Sequence, residues 1–338
     1  MRNRGPNVDP LIGMDATYSV GKQLSGVGKY SLALMDGLIR LHNGQQLRRY
    51  YRPHRWVRAP WPKRLLLDSA PSAVDVFHGL NQRLPKRGRA AMVSTFHDLF
   101  VLSGEYSSAE FRTRFAEQAR EAAERSDRII AVSEFTAGQV VEYLGYPRAK
   151  IRVVPHGVVM PAAVAAVEGR EKIVLTVGAV QKRKNTRRLI EAFRVMGGGW
   201  QLWIAGSAGF EAEEMLAGKP ANVKVLGYVT DEELAGLYQR AAVFAFPSLD
   251  EGFGIPVLEA MANGLPVLTS TSSALPEVAG EAAVLVDPYS VEAIAEGLRG
   301  ILDMEVRREM ARVGLERARG FSWDESARLT AAVYRELL

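Results

Sequence analysis

Short apolar runs alternate with amphipathic stretches along most of the chain, and that alternation admits few folds. Leu11–Met14, Met92–Phe96, Ile129–Val132 and Ile151–Val154 have the length and composition of strands. Between them, residues 28–41 space Tyr30, Leu34, Leu38 and Leu41 three to four apart, which predicts a helix. Ser133 is placed to cap a further helix and Gly145 to close it. After residues 158–170 the cycle restarts. Strands are predicted at 173–177, 202–205, 223–226, 243–246, 267–270 and 283–286, and helices at 186–196, 231–240, 256–263 and 290–302. Thr230 with Glu233 spells a capping box. Strands separated by helices imply parallel sheets covered on both faces. The expected fold class is α/β, with two Rossmann-like doubly wound domains at 1–157 and 171–320. Residues 158–170, small and Ala-rich with Pro161 and Gly169, read as the linker and hinge. Residues 321–338 read as a C-terminal helix that would suit either domain.

Composition narrows the function. The 338 residues suffice for two cores, and the absence of cysteine excludes disulfides, thiolate metal sites and thiol nucleophiles. The stretch MRNRGPNVDP lacks a signal-peptide apolar run, and no run nears the roughly 20 apolar residues of a spanning helix. These readings predict a cytoplasmic protein, at most peripheral at the inner face of a membrane. Charge is uneven: residues 1–156 sum to +10 and the remainder to −5. Arg48, Arg49, Arg52, Arg55, Arg58, Lys63 and Arg64 run together with Trp56 and Trp61. The cluster reads either as a solvated surface loop or as a contact with an anionic lipid surface or acceptor. No nucleic-acid motif accompanies it.

Two loops of the second half carry the chemistry. GAVQKRKN (178–185) leaves a strand and enters a helix that Asn185 is placed to cap. Lys182, Arg183 and Lys184 beside a helix N-terminus would make an anion site suited to a diphosphate, or else a solvated basic loop. The second loop reads PSLDEGFGIPVLEAMANG, with Pro256 fitting the first helical position and Gly264 the residue past the helix end. Gly252 and Gly254 would let backbone approach a ligand, with the amides near Phe253–Ile255 facing an anion. Glu251 and Glu259 repel phosphate and accept from hydroxyls, so they suit a sugar and a ribose. Taken alone, Glu259 is simply a favourable charge in the first turn of a helix.

The combination is more specific than its parts. The runs VGAVQKRKN (177–185), LGYVTDEELAGLYQRA (226–241), FPSLDEGFGIPVLEAMANGLPVLTS (246–270) and ALPEVAGEAAVLVDP (274–288) closely resemble the retaining glycosyltransferases of family four, which have the GT-B fold. The two glutamates with seven residues between them match that family's paired-glutamate signature. Upstream, SGVGKY (25–30), FHGLNQRLP (77–85), STFHDL (94–99), IIAVSEFTAGQVVEYLG (129–145) and VVPHGV (153–158) extend the resemblance, and FSWDESA (321–327) closes it.

The resemblance implies roles residue by residue. Glu251, with the amides of Phe253 and Gly254 and beside Ile255, would hold the donor sugar. Glu259 would hold the ribose. Arg183 and Lys184 would bind the diphosphate and stabilise the leaving charge, beside Gly178. Family members that carry arginine after this glycine differ from the present chain, which has Ala179, so Lys182 would substitute. A turn at Gly26, Val27 and Gly28 would approach the donor phosphates from the other domain across an inter-domain cleft. His97 would lie near the transferred sugar with Asp98 beside it; alone, the two read as a satisfied pair. The expected activity is metal-independent transfer of a hexose to a glycan or lipid-linked acceptor. GDP-mannose is the favoured donor, with UDP-glucose and related UDP-sugars behind it, and no cofactor or nucleic acid is expected. The rivals are another enzyme on this fold, such as an epimerase or phosphorylase, and a non-catalytic partner subunit.

Overall fold

A computed structural model describes residues 10–21, 23–42, 46–194 and 199–338. The N-terminal stretch MRNRGPNVD and the predicted helix end at 195–196 lie outside the described residues. The chain divides into two compact units. The first comprises residues 1–102, 109–157 and 323–338; the second comprises 103–108 and 158–322.

The first unit is built on a parallel sheet of β1 (Ile12–Asp15), β2 (Leu47–Tyr51), β3 (Arg64–Leu65), β4 (Val76–Gly79), β5 (Ala91–Phe96), β6 (Arg128–Ala131) and β7 (Ile151–Val153). Its order is β3-β2-β1-β4-β5-β6-β7. The second unit's parallel sheet holds β8 (Glu171–Val177), β9 (Gln201–Ala205), β10 (Val223–Gly227), β11 (Ala241–Phe246), β12 (Val267–Ser270) and β13 (Val284–Val286), in the order β10-β9-β8-β11-β12-β13. Both are doubly wound. The chain steps outward from the central strand in one direction and then returns to step the other way. The switch points fall between β1 and β4, and between β8 and β11.

Central strands are buried on both faces, which is why β11 reads AAVFAF, all six residues buried. Core packing follows on each side: Val174, Leu189, Phe193, Leu202, Ile204 and Val243 join one cluster of the second unit. The helix Asp231–Arg240 starts at the expected capping box, with the Thr230 side chain accepting from the Glu233 amide. Ser133 caps the helix Glu134–Leu144, and Gly145 ends it at φ 63°.

Two readings need correction, and a third that was open between the domains is resolved. Residues 158–170 are not a free linker: they pack on the second unit. The Ala165 amide donates to Gln239 at 2.8 Å, and the Arg170 guanidinium, 7% exposed, donates to the carbonyls of Tyr238 (2.7 Å), Ala241 (3.0 Å), Ala165 (3.1 Å) and Asn263 (2.6 Å). The C-terminal helix Trp323–Arg335 belongs with the first unit. It lies so close to the helix Gly26–His42 that a Cβ on Gly37 would meet the Ala327 Cβ at 2.9 Å. Finally, the basic run at 48–64 is not one loop, since Arg48 and Arg49 belong to β2 and Arg64 to β3.

Arg170 joins three separated pieces of backbone, at Tyr238–Ala241, Ala165 and Asn263. Replacing it with leucine strands several buried carbonyls, so Arg170→Leu is expected to destabilise the second unit by about 3 kcal/mol or more. Denaturant unfolding followed by tryptophan fluorescence measures this, and a loss below about 1 kcal/mol would contradict the cross-brace role.

Candidate active site

The loops that follow β8 and β11 leave adjacent strand ends at the switch point, where an open parallel sheet makes its crevice. Backbone ties join them: the Leu249 amide donates to the Arg183 carbonyl at 2.8 Å. Asn185 adopts a left-handed conformation, φ 59°. It occupies the cap position of the helix Thr186–Phe193, but its side chain makes no capping bond. The amide instead donates to the carbonyls of Pro247 (2.9 Å) and Pro288 (2.6 Å), clamping three loops. The capping expectation fails because Oδ1, the atom a cap would use, accepts from Arg188 Nη1 at 3.1 Å instead.

The structure brings Arg183, Lys184 and Glu251 into one buried ion cluster. Glu251 Oε2 lies 2.9 Å from Arg183 Nη1, and Oε1 accepts from Lys184 Nζ at 2.6 Å. Burial pushes the Glu251 carboxyl up, but Arg183 and then Lys184 outweigh that push and hold it below its ordinary value. The Lys184 stem passes Gly178, φ 136°, where a Cβ would sit 3.2 Å from Lys184 Cε. Its ammonium lies 4.5 Å from the Phe246 ring centroid. Arg183 also donates to the Asp250 carbonyl. Lys182 is exposed and stands apart in this respect from its two neighbours.

The helix Ile255–Ala262 begins one residue earlier than expected, with Gly254 as its cap at φ 111° and Pro256 as its second residue. A Cβ on Gly254 would meet Leu275 Cδ2 at 2.7 Å, so that glycine is required by packing as well as by conformation. First-turn amides of any helix lack intrahelical partners, which leaves the end near Phe253–Ile255 positive. Glu259 falls in the second turn, not the first; it accepts from the Tyr238 hydroxyl at 3.0 Å. Gly264 closes the helix as expected, φ 66°. Phe253 is buried and meets Phe321 edge-on at 6.0 Å.

The remaining candidates belong to the first unit. His97 follows the carboxyl end of β5, 9% exposed, and its Nε2 lies 2.9 Å from the Leu80 carbonyl. A carbonyl only accepts, so Nε2 carries the proton and Nδ1 keeps the lone pair. The pairing of His97 with Asp98 is thereby corrected: the partner is Leu80, although Asp98 is adjacent in the chain. Burial pushes His97 down to about 4, with the Leu80 bond opposing.

Two histidines not singled out from the sequence join it. The His97 ring stacks on His156 at 5.4 Å and meets Tyr30 edge-on at 4.5 Å. His78 hydrogen-bonds Tyr334 through Nδ1 (2.7 Å) and Thr95 through Nε2 (2.8 Å), and Thr95 bonds the Tyr30 hydroxyl at 3.0 Å. Burial lowers His78 to about 3 and His156 well below its ordinary value. Both lie at or just past a strand's carboxyl end, in FHGLNQRLP and VVPHGV, and that placement was their only signal.

Gly26, Val27 and Gly28 do not form a turn; they are the first turn of the helix Gly26–His42, with the Ser25 hydroxyl accepting from the Gly28 amide at 3.3 Å. Gly28 is glycine because a Cβ would sit 2.7 Å from the Tyr18 carbonyl oxygen, whereas Gly26 is open.

Known proteins agree with this architecture. A profile described as "Glycosyl transferases group 1" matches residues 163–317, and one described as "Glycosyltransferase Family 4" matches 26–160. The chain is 31% identical to the O-antigen chain mannosyltransferase B of Escherichia coli over 78% of this chain and 74% of that protein. It is 27% identical to the serotype-specific mannosyltransferase WbdA of Escherichia coli, covering 64% of this chain but only 29% of that longer protein. Among solved structures, a sucrose-phosphate synthase from Thermosynechococcus elongatus superposes with a TM-score of 0.77 at 20% identity, over 97% of this chain and 99% of that one. The chain belongs to the family-four glycosyltransferases and has the GT-B fold. It is an enzyme of the glycosyltransferase class.

Two outcomes follow from the ionisation states. Glu251→Gln removes a charge that compensates two buried cations, so a loss of about 3–5 kcal/mol is expected at pH 7. The Glu251 carboxyl is held below its ordinary 4.5, so its stabilisation is present above that pH and lost as pH falls through the lower folded value. The variant should therefore lose less stability than the parent on acidification below about 4.5. The histidines act in a higher window. Their folded pKa values lie below the ordinary 6.5, so the unfolded chain takes up protons first and stability falls from about 6.5 toward about 4. Urea unfolding across pH 4.5–6.5 should show this slope, and His78→Phe should reduce it.

Proposed function

We propose that the chain transfers a hexose, with mannose favoured, from a nucleotide-diphosphate sugar to a glycan or lipid-linked acceptor, with retention and without a metal. The observation that carries this reading is the Arg183–Lys184–Glu251 cluster at the second sheet's switch point, in a chain of this family. Two cations fixed by a carboxylate suit a departing diphosphate, because they are aimed before the charge develops and need no reorganisation. Gly178 and the positive end of the helix Ile255–Ala262 would flank that diphosphate, with Lys182 a further cation at the rim. Glu251 would also accept from a sugar hydroxyl through its remaining lone pairs, beside the amides of Phe253 and Gly254. Glu259 would take the ribose hydroxyls, its carboxylate oriented by Tyr238. In the first unit, His97 would offer its Nδ1 lone pair to a donor hydroxyl, with Asp98 next to it.

Mannose is favoured because the two relatives above bear the name mannosyltransferase. GDP-mannose is the corresponding donor, and UDP-sugars are the alternative. A partner subunit without turnover is the other reading; a compensated buried cation pair fits it less well, since binding alone does not require leaving-group stabilisation.

Purified protein incubated with GDP-mannose is expected to release GDP and to melt at a higher temperature with GDP or GDP-mannose. Lys184→Ala should lower turnover by roughly 100-fold or more with little change in fold, the scale of one lost electrostatic donor. If UDP-sugars alone shift the melt, the donor base is wrong. If neither guanine nor uracil nucleotides shift it, the donor site itself is wrong.

A further inference from the structure

Residues 48–67 hold seven arginines and lysines and no acidic residue. In the structure this stretch forms β2, the short helix Pro53–Trp56 and the edge strand β3, which pairs on one side only. Large apolar side chains here face water: Val57 and Trp61 are each 78% exposed, Leu67 64% and Leu65 43%. Four within a span this short, on the edge of a sheet, form a patch of the kind that marks an interaction surface. The segment is also held in shape. Lys63 Nζ donates to the carbonyls of Trp56 (3.1 Å) and Val57 (3.3 Å), and sits 4.4 Å from the Trp56 ring and 5.5 Å from the Trp61 ring. The exposed indole is therefore presented by a braced turn. Beside Leu67 opens a cavity of about 330 Å³ where Arg52, Arg83, Lys86 and Arg125 outnumber Asp68 and Glu121. Positive charge thus continues past the apolar patch.

We propose that this edge, residues 53–67, docks the first unit on an anionic lipid surface. Val57, Trp61, Leu65 and Leu67 enter the headgroup region while the exposed Arg58 and Arg64 meet lipid phosphates. Charge complementarity selects this occupant. A second copy would set two positive edges against each other, whereas a bilayer bearing negative headgroups satisfies both the cations and the apolar side chains. Tryptophan with arginine and lysine is the pairing that suits a membrane–water interface. No helix among the described residues is long and apolar enough to cross a membrane, so the contact would be peripheral. The inference concerns where the enzyme sits and does not depend on the donor assigned above.

The test is co-sedimentation of the full chain with phosphatidylcholine vesicles, alone and mixed with phosphatidylglycerol, at low and high salt. Binding is expected to the mixed vesicles only and to weaken as salt rises. Val57→Ser with Trp61→Ser should lower the partition coefficient roughly tenfold or more. Arg58→Glu with Arg64→Glu should do the same and remove the salt dependence. Because these side chains are exposed, the melting temperature and GDP release from GDP-mannose should stay at the parent's level. If GDP release is absent in the parent while vesicle binding holds, the donor reading fails and this one stands. Failure of the parent to pellet with mixed vesicles at low salt overturns the proposal. So does equal binding to neutral vesicles, or undiminished binding by the serine variant. Self-association of the parent that the serine variant lacks would overturn it too, by assigning the edge to a second copy.

Discussion

β8 and β11 run side by side although β9, β10 and their helices separate them in the chain, and the second unit's site depends on that adjacency. A carboxylate buried without compensation would be protonated or expelled. Glu251 stays ionised because the neighbouring strand ends in a loop that delivers Arg183 and Lys184 to its two oxygens. The compensation works only if both loops are fixed, and the surrounding detail serves that end. Asn185 clamps the carbonyls of Pro247 and Pro288, Arg183 and Leu249 share a backbone bond, and Gly178 gives way to the Lys184 stem. Each feature would be unremarkable on a surface loop; together they convert three mobile charges into a preorganised field.

The first unit takes the opposite electrostatic route. Its strand ends gather His78, His97 and His156 with Tyr30 and Thr95, and burial keeps all three imidazoles neutral. Neutral imidazoles tolerate a dry setting in which each ring nitrogen's role is set by its partner. The Leu80 carbonyl fixes the proton of His97 on Nε2, so Nδ1 is left as an acceptor rather than a cation. The helix Trp323–Arg335 supplies Tyr334 to His78 and thereby extends the network.

The sequence made the periodic elements legible and left contacts opaque, for physical reasons that differ by case. The runs at β5, β6 and β11 are largely buried strands and β8 has a buried apolar centre at Ile173–Leu175, so pattern alone located them. β2 escaped because its LRRYY composition hides a strand among arginines. The helix Ala109–Arg125 escaped because its buried face is alanine, and Ala119, Ala122 and Ala123 give little hydrophobic contrast. At the site, Arg183, Lys184 and Glu251 were legible from their loops, but which of three consecutive cations turns inward was not. Lys182 is exposed and its neighbours are not. The 158–170 stretch looked like a linker because alanine carries no signal of what it packs against; Arg170 anchors it through carbonyls, which no pattern of side chains reveals. Gly28 and Gly254 read as close approach to a ligand, yet the observed close approaches are to Tyr18 and Leu275.

These packing constraints bear on how an anion would be received. Glu251 offsets one of the two cations, so these three side chains together carry a single net positive charge rather than two. A diphosphate arriving there would compete with Glu251 for the same donors, and neither cation has to travel, because both are already aligned by the carboxylate. Since each carboxylate oxygen holds a second lone pair, Glu251 keeps acceptor capacity while it holds Arg183 and Lys184. Positioning of cations and recognition of a hydroxyl are therefore compatible in one side chain. Alanine at this position would forfeit both, whereas glutamine would keep an acceptor and lose only the charge. The difference between those two variants separates the charge of Glu251 from the hydroxyl contact proposed for it.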